Sequence, residues 1–162
     1  MNTEMGEYIV GACLKLLKEC DFVDYNVRRP GGGLAGLNEI DAVGLDFKTK
    51  TAYLCEVTTH LDGLLYVNAN TTIERINKKY QKLKEYAKDF LSDFPNRHFM
   101  FWSPVVRESI AIELKKINGL ELVINKDYTA HVKRLQELAK KGTHDTGNPT
   151  FRVLQILEHL RG

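Results

Sequence analysis

The chain is poor in cysteine, and the three it has, Cys13, Cys20 and Cys55, form no CxxC pair. An odd, dispersed set speaks against a disulfide scaffold and a zinc site, and suits a reducing compartment. No apolar run is long enough for a signal peptide or a membrane span, and the N-terminus carries acids at Glu4 and Glu7. A cytoplasmic protein with no membrane partner is the expectation. Charge of one sign is also lacking: the net charge is +2, so partners must be read from where charge clusters. His60, His98, His131, His144 and His159 show no metal-ligand spacing, and there is neither a nucleophile elbow nor a supported Cys-His pair. The glycine-rich stretch that begins at Pro30 lacks the Gly-Lys-Ser/Thr ending of a phosphate-binding loop, which leaves nucleotide binding without support. Internal repeats and low-complexity tracts are missing as well.

What remains is one globular domain's worth of chain, 162 residues with 43% hydrophobic positions. Its organising stretch runs from Glu39 to His60 and reads as two strands around a turn at Lys48 and Thr49. An even-length loop there pairs Val43 with Leu54, Leu45 with Ala52, and Asp41 with Glu56. Strand side chains alternate faces, so the two acids share a side with those apolar partners. Opposed like charges are destabilising. A hard divalent ion such as Mg²⁺ would offset them, since it favours carboxylate oxygens and tolerates few protein ligands. Solvated acids at a sheet end, or acids paired with a lysine, fit the same spacing.

Ahead of the hairpin, residues 3–20 repeat apolar side chains at helical spacing, with Glu7 in the opening turns where the helix dipole favours a carboxylate. A strand over residues 22–27 is closed by Arg28 and Arg29. The glycine loop at residues 30–36 then permits close approach of a foreign backbone, such as that of a nucleic acid, or is a plain connection. Beyond the hairpin, Thr71 and Glu74 fit a capping box opening a helix that runs to about Leu91. Ile73, Ile76, Tyr80, Leu83, Ala87 and Phe90 form its buried stripe. Arg75, Lys79, Lys82 and Tyr86 form a second stripe along its flank. With Lys78, Lys84 and Lys88 this is the most basic element, a pattern that favours a polyanion, although a solvated face with lysine stems over the core border reads the same way.

Residues 97–103 form a strand buried on both faces, with Trp102 in the core and Pro104 as its stop. A helix from Val106 to Ile117, a strand over residues 120–125 and a helix capped by Asp127 follow, completing an α/β domain over residues 1–141. Residues 142–149 read as a linker, and residues 150–162 as a terminal helix whose apolar seam packs on the domain or on a second copy in a homodimer. The order of elements predicts a mixed β-sheet flanked by α-helices.

Taken together, the leading helix with Glu7, the glycine loop, Glu39-Ile40-Asp41, and Cys55-Glu56-Val57 followed by a lysine-rich helix resemble the PD-(D/E)xK nuclease superfamily, over roughly residues 5–103. That superfamily has the restriction-endonuclease-like fold and includes Holliday junction resolvases and Mrr-like enzymes. The resemblance implies a metal-dependent nuclease that hydrolyses phosphodiester bonds in DNA, with RNA as the alternative substrate. Asp41, Glu56 and the carbonyl of Val57 would hold Mg²⁺ or Mn²⁺, assisted by Glu7. Where the family places a lysine two residues after the glutamate, this chain has Thr58. Lys82 or Lys79 would supply that charge, since Lys82-Leu83-Lys84-Glu85-Tyr86 is similar to the Gln-x-x-x-Tyr helix motif of RecB-like members. Arg28, Arg29, Arg75, Lys78 and Tyr86 would contact the nucleic acid. Without a lysine at the site, the chain would instead be an inactive nuclease-like module that binds nucleic acid or a protein partner.

Overall fold

A computed structural model describes residues 2–31 and 39–160. Most of the glycine loop therefore lies outside the described residues. The elements run α1 (Met5–Leu16), β1 (Phe22–Arg28), β2 (Glu39–Asp46), β3 (Thr51–Val57), α2 (Ala69–Phe90), β4 (Asn96–Ser103), α3 (Glu108–Leu114), β5 (Leu120–Ile124), α4 (Lys126–Lys141) and α5 (Pro149–His159).

The strands form one mixed sheet in the order β1-β2-β3-β4-β5. The first two neighbour pairs are antiparallel, while β3 with β4 and β4 with β5 are parallel. Parallel neighbours cannot be joined by a tight turn. The chain therefore crosses over through α2 and then α3. Ala42, Cys55, Met100 and Trp102 face a core shared with Val10, Leu14, Tyr128, Leu135 and Phe151 of α1, α4 and α5. Val43, Ala52 and Leu54 face the opposite way, onto Leu83 and Ala87 of α2. Phe101 and Ile124 meet Ile76 of α2 together with Ile110 and Leu114 of α3. Helices thus cover both faces of the sheet.

The β2–β3 turn is built locally. Asp46 accepts from the main-chain N–H groups of Lys48 at 2.9 Å and Thr49 at 3.1 Å, and from the Thr49 hydroxyl at 2.6 Å. A side chain that holds its own turn in this way leaves the hairpin one register. That register pairs Ala42 with Cys55, Val43 with Leu54 and Leu45 with Ala52, as the spacing of residues predicts.

Several boundaries differ from the sequence expectation: α3 is shorter at both ends than the Val106 to Ile117 helix, and three further helix ends shift with the contacts around them. The first helix stops at Leu16 rather than Cys20, because Glu19 adopts φ 57° and the Cys20 N–H turns back to the Leu14 carbonyl. α2 starts earlier than Thr71: Asn68 is its N-cap and accepts from the Thr71 N–H, while the buried Thr72 hydroxyl bonds the Asn68 carbonyl at 2.8 Å. α4 begins behind Asn125 rather than Asp127; Asn125, at φ 53°, does not cap the helix with its side chain, which instead clamps both main-chain groups of Val106.

The terminal helix α5 packs on α1 and α4. Gln155, 2% exposed, donates to the carbonyls of Gly142 and His144, and Asn148 reaches the Tyr8 carbonyl, which pins the preceding segment down. Val153, Ile156 and Leu157 of α5, and Leu160 just after it, face outward. Among the described residues no helix is long and apolar enough to cross a membrane.

The seat of α1 is set by a close approach. A Cβ at Gly11 would lie 1.8 Å from the Tyr25 hydroxyl oxygen, so only glycine lets the helix sit this low on β1. Gly11→Ala is expected to cost about 1–3 kcal/mol, as overpacking does. Chemical denaturation should show that loss, and Tyr25→Phe, which removes the clashing oxygen, should recover part of it in the double variant.

Candidate functional site

One step along the hairpin register from Ala42 and Cys55, Asp41 and Glu56 stand opposite each other on the face that α2 covers. Their carboxyl groups are close enough for each to act electrostatically on the other. Asp41 is held in place by the Val57 N–H, which donates to its Oδ2 at 2.7 Å. Glu56 is only 4% exposed.

The lysine expected from the long helix arrives. Lys79 Nζ donates to Glu56 Oε2 in a direct ion pair. It is aimed there by its neighbours in α2, since Ile76 and Leu83, which lie three before and four after it, are both buried under the sheet. A lysine between them on the same side has nowhere to point but along the sheet surface.

These groups line a cleft of about 230 Å³ together with Glu4, Glu7, Asn26, Glu39, Thr58, Tyr66 and Lys82. Five expected site residues, Glu7, Asp41, Glu56, Lys79 and Lys82, and the Val57 main chain therefore meet in one place. Glu7 comes from the far side of the sheet. Its Oε2 accepts from the Glu4 N–H at 3.0 Å in a reciprocal capping box, and from Asn26 at 3.5 Å. Among the described residues no group of three or more His, Cys, Asp or Glu side chains gathers closely enough to hold a metal ion, so Glu7 stands apart from the acid pair.

The residues expected at the nucleic-acid contact are spread around the rim. Arg28 is ion-paired with Glu39. Arg29 reaches across to α2, with Asp89 at 3.1 Å and Glu85 at 3.7 Å. Arg29, Glu85 and Tyr86 line a neighbouring groove that shares Glu39 and Lys82 with the cleft. At the other lip the Arg75 guanidinium lies over the Tyr66 ring, 4.2 Å from its centre. Lys78 faces solvent. His60 stays outside the cleft, with its ring against the edge of Tyr66 at 5.7 Å.

Sequence reading missed Asn26, Glu39 and Tyr66 as lining groups. Asn26 carries a hint, because an asparagine near a strand end is a residue type that tolerates the φ of 52° it adopts. Tyr66 carries none, as it sits in a stretch without periodicity.

Burial and then the Asp41 carboxylate push Glu56 up to about 8, with Lys79 pulling the other way. Burial raises Asp41 too, opposed by Lys79, the Val57 N–H and Glu56. Burial alone would lower Lys79, but the two carboxylates more than offset it and hold its ammonium charged. Free of metal, the trio therefore retains a carboxyl proton at neutral pH. In the unfolded chain Glu56 releases its proton near 4.5. The folded state binds more protons between the two values, so this contribution to stability is complete below the lower one and is lost as pH rises through the upper one. In chelator, the melting temperature should fall between about pH 5 and pH 8, and Glu56→Gln should flatten that slope. An unchanged slope in the variant would place the titration elsewhere.

Compared with protein-family models, curated proteins and solved structures, the chain matches none.

Proposed function

We propose that this protein is a metal-dependent nuclease of the PD-(D/E)xK kind, with a restriction-endonuclease-like domain that hydrolyses phosphodiester bonds in DNA. The observation that carries the reading is the Lys79–Glu56 pair beside Asp41. It puts an ammonium group from α2 next to two converging acids, where Thr58 has no charge to offer.

The donor set suits a hard cation. All of its candidate ligands are oxygens: the two carboxylates and the main-chain carbonyl of Val57. The two carboxylates are neighbours whose mutual repulsion a divalent ion would relieve. Mg²⁺ or Mn²⁺ bound there would supply charge neutralisation on the phosphate and acidify a water molecule.

The chain's own residues do the rest. The Val57 N–H fixes the Asp41 carboxylate, so its orientation costs nothing at the moment of reaction. Lys79, set in a cleft with limited water, stabilises negative charge as it builds on the phosphate oxygens. Lys82 faces the same cleft and the adjoining groove, which lets it contact the phosphate next along the strand. Arg28, Arg29, Arg75 and Tyr86 flank the site, and Lys78, on the solvent side of α2, would extend their backbone contacts, which read no sequence.

The Lys79–Glu56 pair also favours a second reading, in which the lysine substitutes for a cation and the protein binds nucleic acid without cutting it. Single-stranded, duplex and branched DNA, and RNA, incubated with Mg²⁺ or Mn²⁺, separate the two. The nuclease reading expects metal-dependent cleavage, abolished in Asp41→Asn and Glu56→Gln and reduced about 10²–10³-fold in Lys79→Ala, as for loss of one preorganised charge. Undiminished cutting by the Glu56 variant, or binding that never leads to cleavage, would sink it.

A further inference from the structure

The connection from β3 to α2 leaves the sheet straight after Val57 and carries a strained apolar tip. Val67 is 89% exposed, and it adopts φ 59°. A β-branched residue is a true outlier in that region, which glycine or asparagine enters far more readily. The Asn68 N–H donates to the Tyr66 carbonyl across it, so Val67 sits at the apex of a three-residue turn in its strained form. Leu61, 77% exposed, lies on the same connection.

The turn is held from beneath. The hydroxyl of Thr72, a residue 0% exposed, accepts from the Tyr66 N–H at 2.8 Å and donates to the Asn68 carbonyl at 2.8 Å, gripping the residues on either side of Val67. Leu64 is buried, and its N–H donates to the Val105 carbonyl at 3.0 Å. Tyr66 itself lines the cleft with Asp41, Glu56 and Lys79, its ring against the Arg75 guanidinium and beside His60. Backbone strain persists only where surrounding contacts enforce it, and it gathers at sites that use it. Here it fixes an exposed apolar tip at the lip of the cleft, one residue from a lining side chain and next to a cation.

We propose that Val67 is a wedge that enters the base stack of double-stranded DNA beside the phosphate bound at Asp41, Glu56 and Lys79, an inference that rests on the nuclease reading above. An apolar side chain inserted between neighbouring base pairs unstacks them and kinks the duplex. Val67 leaves water in doing so, which favours the inserted state. Arg75 contacts the phosphate that flanks the opened step, and the kink lets the scissile strand follow the cleft. A rigid turn suits this task, because a mobile tip would fold back rather than part the bases. The cations nearest the tip, Arg75 and the solvent-facing Lys78, fit a polyanion rather than an apolar peptide. The substrate is therefore duplex DNA opened at one step, and Val67 sets that preference without reading sequence.

The test compares Val67→Asn and Val67→Leu with the parent on an intact duplex and on the same duplex with a short mismatched bubble at the site of cleavage. Val67→Asn suits the backbone of the turn, so it should melt at the parent's temperature or higher. It should nonetheless lose about 10-fold in kcat/KM on the intact duplex, as for an unstacking step left unassisted. On the bubble, which is already unstacked, it should match the parent. Val67→Leu keeps an apolar tip and should keep the parent's rate on both. A second arm reads the opened step without cleavage: duplexes carrying 2-aminopurine at successive positions should brighten at one step when Glu56→Gln binds, and not when Glu56→Gln/Val67→Asn does. Parent-like rates for Val67→Asn on the intact duplex, or equal losses on both substrates, overturn the wedge while Glu56→Gln stays inert. A bound duplex that brightens nowhere, or a parent that cuts only single strands, does the same. A parent that cuts no DNA removes the nuclease reading, and the wedge then stands or falls on the fluorescence alone.

Discussion

Two carboxylates brought close together under a helix are the constraint around which the rest of the cleft is arranged. Each resists losing water, and each raises the free energy of the other's charged form. The structure answers with compensations from two elements, a main-chain N–H of β3 on Asp41 and an ammonium group of α2 on Glu56, and burial beside Asp41 pushes the Glu56 carboxyl up toward its protonated form. A site that served stability alone would be better filled with apolar side chains of similar volume. The arrangement stores a demand for positive charge.

Which cations meet that demand depends on how firmly α2 is seated. Its buried stripe, Thr72, Ile76, Tyr80, Leu83 and Ala87, docks on β2, β3 and β4, and Tyr80 ties it further through its hydroxyl to the Asn118 carbonyl at 3.0 Å. The stripe fixes the helix about its own axis. Lys79 and Lys82 then fall over the strand ends, whereas Lys78, one residue away, faces solvent. The same rotation sets Arg75 on Tyr66 at one lip and Tyr86 in the groove at the other.

Much of the architecture was legible because it depends on short-range periodicity. Alternation over Val43, Leu45, Ala52 and Leu54 admits one hairpin register when the loop length is even, so the opposition of Asp41 and Glu56 needed no further information. The spacing of Ile76, Leu83 and Ala87 likewise defined the buried face of α2 and placed a lysine stripe beside it. Helix starts were less legible. Asn68, Thr71, Asn125 and Asp127 are all acceptable N-caps by residue type, yet α2 starts behind Asn68, whose side chain caps it, and α4 starts behind Asn125, whose side chain is engaged with Val106 instead.

By itself, then, the chain's order of residues determined what is local: a five-stranded mixed sheet flanked by helices, two acids facing each other on one hairpin, and a basic edge on the longest helix. Periodicity encodes which way a side chain points along its own element, and nothing about the neighbour it will meet. Only the crossover of α2 between the parallel strands β3 and β4 decided that Lys79 rather than Lys82 closes on Glu56. The same packing brought Glu7 from the opposite face into the cleft through a capping box. It also set Tyr66 in one cleft with Glu7 and Asp41, since contacts between residues so far apart in the chain arise from the way the layers stack rather than from any pattern within one of them.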